Sequence, residues 1–135
     1  MRVSLDVGAF LIERAHEQDA GYDFRSPERV VVKACDTTMI DTGVHIELPH
    51  STVGMVRSRS SMFKRGIITS GTIDEGYTGS IVVALTNLGD EDYIVERGDK
   101  IAQLVIAPIY RPALTVVEQL DETERGSNGF GSTGK

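Results

Sequence analysis

The sequence predicts an all-β domain: a jelly-roll-like sandwich or barrel with one short helical turn and a flexible C-terminal tail. Two observations favour this fold class. Apolar and polar residues alternate in short runs, as they do along a half-buried strand. Turn-forming residues separate these runs at close spacing, which is typical of β-sandwiches and barrels.

The predicted strands begin near the N-terminus, where Val3, Leu5 and Val7 alternate with polar residues. Runs that are β-branched or alternating predict further strands at residues 30–35, 44–48, 53–56, 66–69, 80–86, 93–95, 101–107 and 114–117. Asp, Asn and Gly predict turns at residues 41–43, 87–90 and 97–99. The predicted helical turn covers residues 60–64, and we expect Ser60 or Ser61 to cap its first amides.

The chain length of 135 residues fits a single domain. We expect residues 1–121 to form the β domain. Residues 122–135 are rich in glycine, with Phe130 as the only large apolar residue after Thr123, and are expected to be a flexible lid. The single cysteine, Cys35, ends an apolar run and is expected to be a small buried thiol.

Charge and hydropathy limit the partners that we expect. The net charge of −6 counts against broad nucleic-acid binding. No apolar run approaches the ~18 residues of a membrane span, and Asp6 interrupts the stretch that a signal peptide would need. These features favour a cytoplasmic protein with no nucleic-acid or membrane partner. An acidic chain can still bind a small polyanion where a few donors converge.

Three clusters have the composition of such a polyanion site. Residues 57–61 hold two arginines and three serines beside the predicted helical turn, although a solvated turn is an equal alternative. Residues 71–79 hold an acid and an aromatic ring in a turn bracketed by glycines. Residues 125–134 combine arginine, phenylalanine, hydroxyls and glycines, a composition suited to wrapping an anionic, aromatic ligand.

Taken together, the motifs resemble those of the homotrimeric dUTP diphosphatases (dUTPases). That family has five short motifs in a fixed order, and all five are recognisable here: residues 19–24 (DAGYDF), 59–61 (RSS), 71–77 (GTIDEGY), 98–104 (GDKIAQL) and 125–134 (RGSNGFGSTG). The resemblance implies hydrolysis of dUTP to dUMP and pyrophosphate, with Mg²⁺ on the triphosphate.

The resemblance also implies roles for individual residues. Asp74 would be the general base that activates a water for attack on the α-phosphorus. The positions that match the family's contacts to the phosphate chain are Arg59, Ser60 and Gln103. Arg125 matches the tail arginine directed at the γ-phosphate, and Ser61 matches a substrate-binding position of the second motif. Asp23 matches the position linked to the metal through water.

Specificity would come from the third and fifth motifs. Backbone groups around Gly71, Thr72 and Ile73 would pair with the uracil edge, and the Tyr77 ring would exclude a 2′-hydroxyl. Phe130 would stack on uracil when the tail closes, while Gly131, Ser132 and Thr133 would wrap phosphate oxygens. In the family each site is shared by three subunits, so the resemblance implies a homotrimer.

The sequence departs from the family pattern after the third motif, where Thr78, Gly79 and Ser80 replace the usual continuation. Two alternatives remain open. A dCTP deaminase has the same fold, but its catalytic glutamate has no counterpart in residues 80–86. A non-catalytic nucleotide-binding regulatory protein is the other, although retention of Asp74 argues against it.

Overall fold

The computed structural model describes residues 1–123 and 126–127. These residues form strands and one short helix, which confirms the predicted all-β class. The elements are β1 (Arg2–Leu5), β2 (Gly21–Arg25), β3 (Val30–Val32), β4 (Thr37–Glu47), β5 (Thr52–Arg57), α1 (Ser60–Phe63), β6 (Ile67–Ile68), β7 (Ser70–Ile73), β8 (Ser80–Asn87), β9 (Tyr93–Val95) and β10 (Lys100–Pro108).

The strands form antiparallel sheets in the order β1-β4-β8-β6, β2-β10-β5-β7 and β3-β9. In the second sheet, β10 lies between β2 and β5, so Gln103 is paired with Asp23 on one side and with Arg57 on the other. This register sets three polar side chains in one row across the sheet. The sequence did not predict β2, which carries Asp23.

The core lies between the two four-stranded sheets. Along β8 burial alternates, as expected for a strand with one face toward a core. Both sheets contribute side chains that are at most 2% exposed, among them Phe24, Val56, Ile81, Val83, Leu85 and Leu104. Burial of each such side chain stabilises the fold by about 1.5–3 kcal/mol, so the core holds the sheet that carries the polar row rigidly in place.

Two predicted elements are wrong. Residues 114–117 form no strand, and Leu114 and Val116 are 95% and 97% exposed, because no strand of the described chain pairs with them. Residues 41–43 are not a turn but an irregularity inside β4, where the pairing with β8 shifts between Asp41 and His45. The buried Thr42 hydroxyl donates to the Ile81 carbonyl at 2.7 Å and stabilises this bulge.

Two smaller expectations are also wrong. Helix α1 begins at Ser60, its N-cap residue is Arg59, and no side chain caps it. Cys35 is exposed rather than buried, because it occupies a left-handed turn (φ 55°) between β3 and β4. Within the described residues, no helix is long and apolar enough to cross a membrane.

Candidate active site

Asp23 on β2 lies at the centre of a polar cluster. Its carboxylate accepts a hydrogen bond from Arg59 Nε at 2.8 Å and forms an ion pair with Lys100 Nζ at 2.7 Å. The carboxylate is only 10% exposed, whereas the two basic side chains are 29% and 23% exposed. Asp23 therefore holds two cations side by side, one from the second motif and one from the fourth.

Gln103 lies beside this cluster on β10. Its Nε2 donates to the carbonyl of Ser58, the residue before the second motif, at 3.2 Å. Its Oε1 lies close to the backbone of Gly21, where an added β-carbon would come within 2.4 Å of it. The Ser58 hydroxyl in turn accepts from the Thr69 amide at 2.8 Å. Gly21 and Ser58 thus position the glutamine, which residue type and spacing alone did not indicate.

These residues line two adjoining clefts. The first, here called the polar cleft, has a volume of about 260 Å³ and is lined by Ala15, Asp19, Ala20, Gly21, Asp23, Arg59, Ser60 and Gln103. The second, the basic cleft, has a volume of about 390 Å³ and includes Arg25, Arg59, Ser61, Arg65 and Lys100. Four cationic side chains thus converge on one surface of a chain with net charge −6, which is the local convergence that a polyanion requires.

Asp74 lies in a different pocket, the hairpin pocket, of about 220 Å³. Its lining residues are Thr72, Ile73, Asp74, Tyr77, Ile81 and Val82. The Tyr77 amide donates to the Asp74 carbonyl at 3.0 Å, and the Tyr77 hydroxyl donates to the Ser80 carbonyl at 2.8 Å. The turn therefore brings Asp74, the predicted base, next to Tyr77, the predicted sugar-contacting ring. Gly71 lies outside this lining, on β7 opposite Val56.

Within one chain the hairpin pocket and the polar cleft are separate. They share no lining residue among those described. Both lie beside strands that pair with β5. Ile73 on β7 is paired with Gly54 of β5, and Gln103 on β10 is paired with Arg57. Gly54 and Arg57 are roughly 10 Å apart along the strand at ~3.3 Å per residue. A single chain therefore does not bring Asp74 to the cleft that gathers the first, second and fourth motifs.

The described residues contain no group of three His, Cys, Asp or Glu side chains placed to hold a metal ion. Mg²⁺ commonly binds proteins through one or two carboxylates, with phosphate and water oxygens as its other ligands. A carboxylate has about four acceptor positions, and the cations at Asp23 use one on each oxygen. Asp23 therefore fits a water-mediated contact with a metal on a bound phosphate chain.

The predicted tail residues Arg125, Phe130, Gly131, Ser132 and Thr133 lie outside the described residues. Ser60 and Ser61 lie in the first turn of α1 and line the polar and basic clefts respectively. Sequence reasoning missed Lys100, which belongs to the fourth motif. Its position in that motif, three residues before Gln103, was the signal that could have identified it.

Comparison with known proteins agrees with this geometry. The family model for dUTPase matches residues 9–134. A deoxyuridine 5'-triphosphate nucleotidohydrolase of Clostridium acetobutylicum is 46% identical over 134 residues, covering 96% of this chain and 92% of that protein. A protein of the same description from Clostridium novyi is 49% identical over 125 residues, covering 90% and 88%.

Solved structures are similar as well. A mutant Staphylococcus bacteriophage 80alpha dUTPase with dUpNHpp has a TM-score of 0.92 and 33% identity, covering 99% of this chain and 98% of that one. A mutant dUTPase from phage phi11 of S. aureus, described with a structural Mg(II) ion, has a TM-score of 0.81 and 32% identity, covering 87% and 96%. Because the match spans nearly the whole chain in sequence and in fold, this protein belongs to the dUTPase family.

Proposed function

We propose that this protein hydrolyses dUTP to dUMP and pyrophosphate. The relatives that this chain matches over nearly their full length are named for this activity. The observation that carries the proposal is the convergence of Arg59, Ser60, Lys100 and Gln103 on one pair of clefts. This donor set suits a triphosphate, because developing negative charge on phosphate oxygens is stabilised by fixed donors.

The chemistry assigned to the chain is attack of water on the α-phosphorus. Asp74 accepts a proton from the water as the new bond from oxygen to phosphorus forms. The bond from the α-phosphorus to the bridging oxygen breaks, and pyrophosphate leaves. Ser60, Gln103 and Arg59 hold the phosphate chain in line, so that most of the rate enhancement comes from positioning. Mg²⁺ on the triphosphate would offset part of its charge, with Asp23 contacting the ion through water.

The separation of the two pockets supports a shared site. Asp74 follows Ile73, which is paired with Gly54 of β5. The polar cleft lies at the other end of that strand, where Gln103 is paired with Arg57, so a complete site needs the hairpin of another copy. Residues 109–123 leave the sandwich without a strand partner among the described residues and expose Leu114, Val116 and Leu120. Such an apolar segment is suited to contact a second copy. We therefore propose a homotrimer with sites formed between subunits and closed by the tail.

The proposed specificity is for uracil and deoxyribose. Thr72 and Ile73 line the pocket beside Tyr77, and the backbone of the neighbouring Gly71 would approach the base. A pocket that pairs with the uracil edge disfavours cytosine, because the reversed donors and acceptors leave buried groups unpaired. Arg125, Phe130, Gly131, Ser132 and Thr133 would complete the enclosure over the nucleotide.

The proposal is tested by incubating the protein with Mg²⁺ and either dUTP or dCTP. Pyrophosphate release from dUTP is expected, without deamination of dCTP. Conversion of dCTP alone would assign the chain to the deaminases, and nucleotide binding without either reaction would make it a binding protein. The Asp74→Asn variant should bind dUTP and lose turnover, because binding does not require the base. Turnover equal to that of the unmodified protein would remove Asp74 from this role.

A further inference from the structure

Glu75, the residue after Asp74, accepts three hydrogen bonds. Oε1 lies 2.5 Å from His50 Nδ1. Oε2 accepts from Arg111 Nη1 at 2.8 Å and from the Ser51 amide at 3.1 Å. The Glu75 side chain is only 23% exposed, although those of His50 and Arg111 are 88% and 53% exposed. None of these four residues has a role in the mechanism above.

The three contacts join segments that are distant in sequence. Ser51 lies in the turn between β4 and β5, where it has a left-handed backbone (φ 57°). Its carbonyl also accepts from the Ile109 amide at 2.9 Å, just after β10 ends. Arg111 follows two residues later. Glu75 therefore connects the catalytic hairpin both to the β4–β5 turn and to the start of the C-terminal segment.

The sheet does not fix Asp74 itself. Pairing between β5 and β7 ends with Gly54 and Ile73, so Asp74 is the first residue beyond the ladder. Glu75 is the next residue, and its carboxylate attaches this turn to the β4–β5 turn at Ser51. Hydrogen bonds from Arg111, then from His50, hold the pKa of Glu75 down at about 2. Glu75 is thus ionised near neutral pH and can accept hydrogen bonds from both side chains.

We propose that Glu75 is a positioning residue for Asp74, acting by fastening the hairpin to the segment at residues 109–111. This role rests on the proposed function. In the shared site, the hairpin serves one active site and the C-terminal segment leads to the tail of another. The Glu75 cluster would therefore set the orientation of Asp74 and the direction in which the C-terminal segment leaves the domain.

A purely structural ion pair would have a different signature. Ion pairs whose basic partner is solvent-exposed contribute little to the free energy of unfolding, so loss of this one should leave the fold intact. Displacement of a catalytic group by about 1 Å can lower turnover by up to ~100-fold. A positioning role therefore appears in kcat with a smaller change in KM, because the nucleotide still binds.

The experiment compares Glu75→Gln with Glu47→Gln. Glu47 forms an exposed ion pair with Arg2, and among the described residues its side chain forms no hydrogen bond with the hairpin or with residues 109–111. We expect Glu75→Gln to lower kcat by about 10-fold, with KM changed less, and Glu47→Gln to behave as the unmodified protein. Glu75→Asp should recover part of the loss, since it restores the charge on a shorter side chain.

Hydrogen exchange provides a second measurement. Amides of residues 74–78 and of Ser51 should exchange faster in Glu75→Gln, while those of β8 keep their rates. Arg111→Gln should give the same change in exchange rates. The effect in the double variant should be smaller than the sum of the two single effects, since both substitutions remove the same interaction. Arg111→Gln also keeps the test possible if Glu75→Gln does not fold.

The two proposals fail separately. If the unmodified protein releases no pyrophosphate from dUTP, the proposed function is wrong, and the positioning role falls with it. If the unmodified protein is active and Glu75→Gln has the same kcat, only the positioning role is overturned. Equal losses of kcat in Glu75→Gln and Glu47→Gln would also overturn it, because the effect would then not depend on the hairpin.

Discussion

Gly79 lies directly against the ring of Tyr77. A β-carbon at residue 79 would come within 2.5 Å of the Tyr77 hydroxyl oxygen and 2.7 Å of Cζ. Contacts this short require a shift, and the movable partner is the tyrosine side chain, which is 44% exposed. Glycine at this position therefore determines where the ring proposed to contact deoxyribose lies.

We expect Gly79→Ala to weaken discrimination between dUTP and UTP while changing the thermal midpoint little. The ring must move away from residue 79, and its position is what would exclude a 2′-hydroxyl. The measurement is the ratio of kcat/KM for the two nucleotides. Gly76→Ala is the matched control, because a β-carbon there meets nothing within 4 Å. An unchanged ratio in Gly79→Ala would show that the position of the Tyr77 ring does not determine discrimination between the two sugars.

His45 on β4 should make the stability of the hairpin depend on pH. Its Nδ1 lies 2.9 Å from the Thr78 carbonyl, and its Nε2 lies 3.2 Å from an Asp6 carboxylate oxygen. Both partners accept hydrogen bonds, so both are satisfied only when the ring carries two protons. The Thr78 contact, then the Asp6 hydrogen bond and the negative charges of Asp6 and Asp41, raise the pKa of His45.

Because the pKa of His45 is raised on folding, its contribution to the stability of the folded protein is fully present below the ordinary histidine pKa of about 6.5. It is lost as pH rises through the folded value. The unmodified protein should therefore have a higher thermal midpoint than His45→Gln in mildly acidic buffer, and the difference should shrink in alkaline buffer. His16→Gln is the control, because only the backbone amide of His16, and not its ring, forms a hydrogen bond among the described residues. A difference that grows with pH would contradict the assignment.

Asp23→Asn should lower stability and change the dependence on Mg²⁺. The substitution leaves Arg59 and Lys100 facing each other without their shared, largely buried anion. We expect a loss of about 1–3 kcal/mol in the free energy of unfolding, measured by denaturant titration. Turnover should need more Mg²⁺ than in the unmodified protein, and chelation should reduce turnover in both.

The exposed Arg25–Glu13 pair supplies the control for this effect. Glu13→Gln should lower the free energy of unfolding by no more than about 1 kcal/mol, as is usual for exposed pairs. An Asp23→Asn protein as stable as the unmodified one would show that the two cations do not need the carboxylate. An unchanged Mg²⁺ requirement would remove Asp23 from contact with the ion.

Shared sites predict recovery of activity in mixed oligomers. Asp74→Asn has an intact polar cleft, and Gln103→Ala has an intact hairpin, so each should have low turnover alone. After the two are unfolded together and refolded, about a quarter of the sites should combine an intact cleft with an intact hairpin, if subunits mix at random in a ring. Sites formed within one chain would give no recovery, which pyrophosphate release would reveal directly.

The tail assignment has its own prediction. A chain ending at residue 124 should keep the thermal transition of the β domain, because the described core and the side chains packed against it include no residue beyond Ile106. Its turnover should fall strongly if the tail encloses the nucleotide. Full activity of the shortened chain would contradict the proposed lid.

Several features followed directly from the amino-acid sequence because local physics determines them. Alternation along residues 80–86 predicted β8, since a strand with one buried face must repeat every two residues. The resemblance to the dUTPase motifs, which also needs only the sequence, points to Asp23, Arg59 and Gln103 as site residues. Their arrangement as a cluster depended on the register of β10 with β2 and β5, which links residues far apart in the chain.

The wrong predictions share a cause, which is that they used local preference where distant contacts decide. Asp41, Thr42 and Gly43 have turn composition, yet the buried Thr42 hydroxyl bonds to Ile81 on the neighbouring strand. Leu114 and Val116 have strand composition, yet no described strand lies beside them. Glu75 looks in the sequence like an ordinary turn residue. Its role in joining segments arises only because residues 50–51 and Arg111 lie close enough to bond to its carboxylate.

By itself, the sequence determined the fold class, the set of motif residues and the kind of ligand that they suit. Hydrophobic periodicity and side-chain chemistry depend only on the identity and order of the residues, so they can be determined without the structure. The tertiary structure decided that Asp23 pairs with two cations, that Glu75 joins three segments, and that Asp74 and the polar cleft lie apart on one chain. These are distances between residues remote in sequence, and only strand pairing and packing set them.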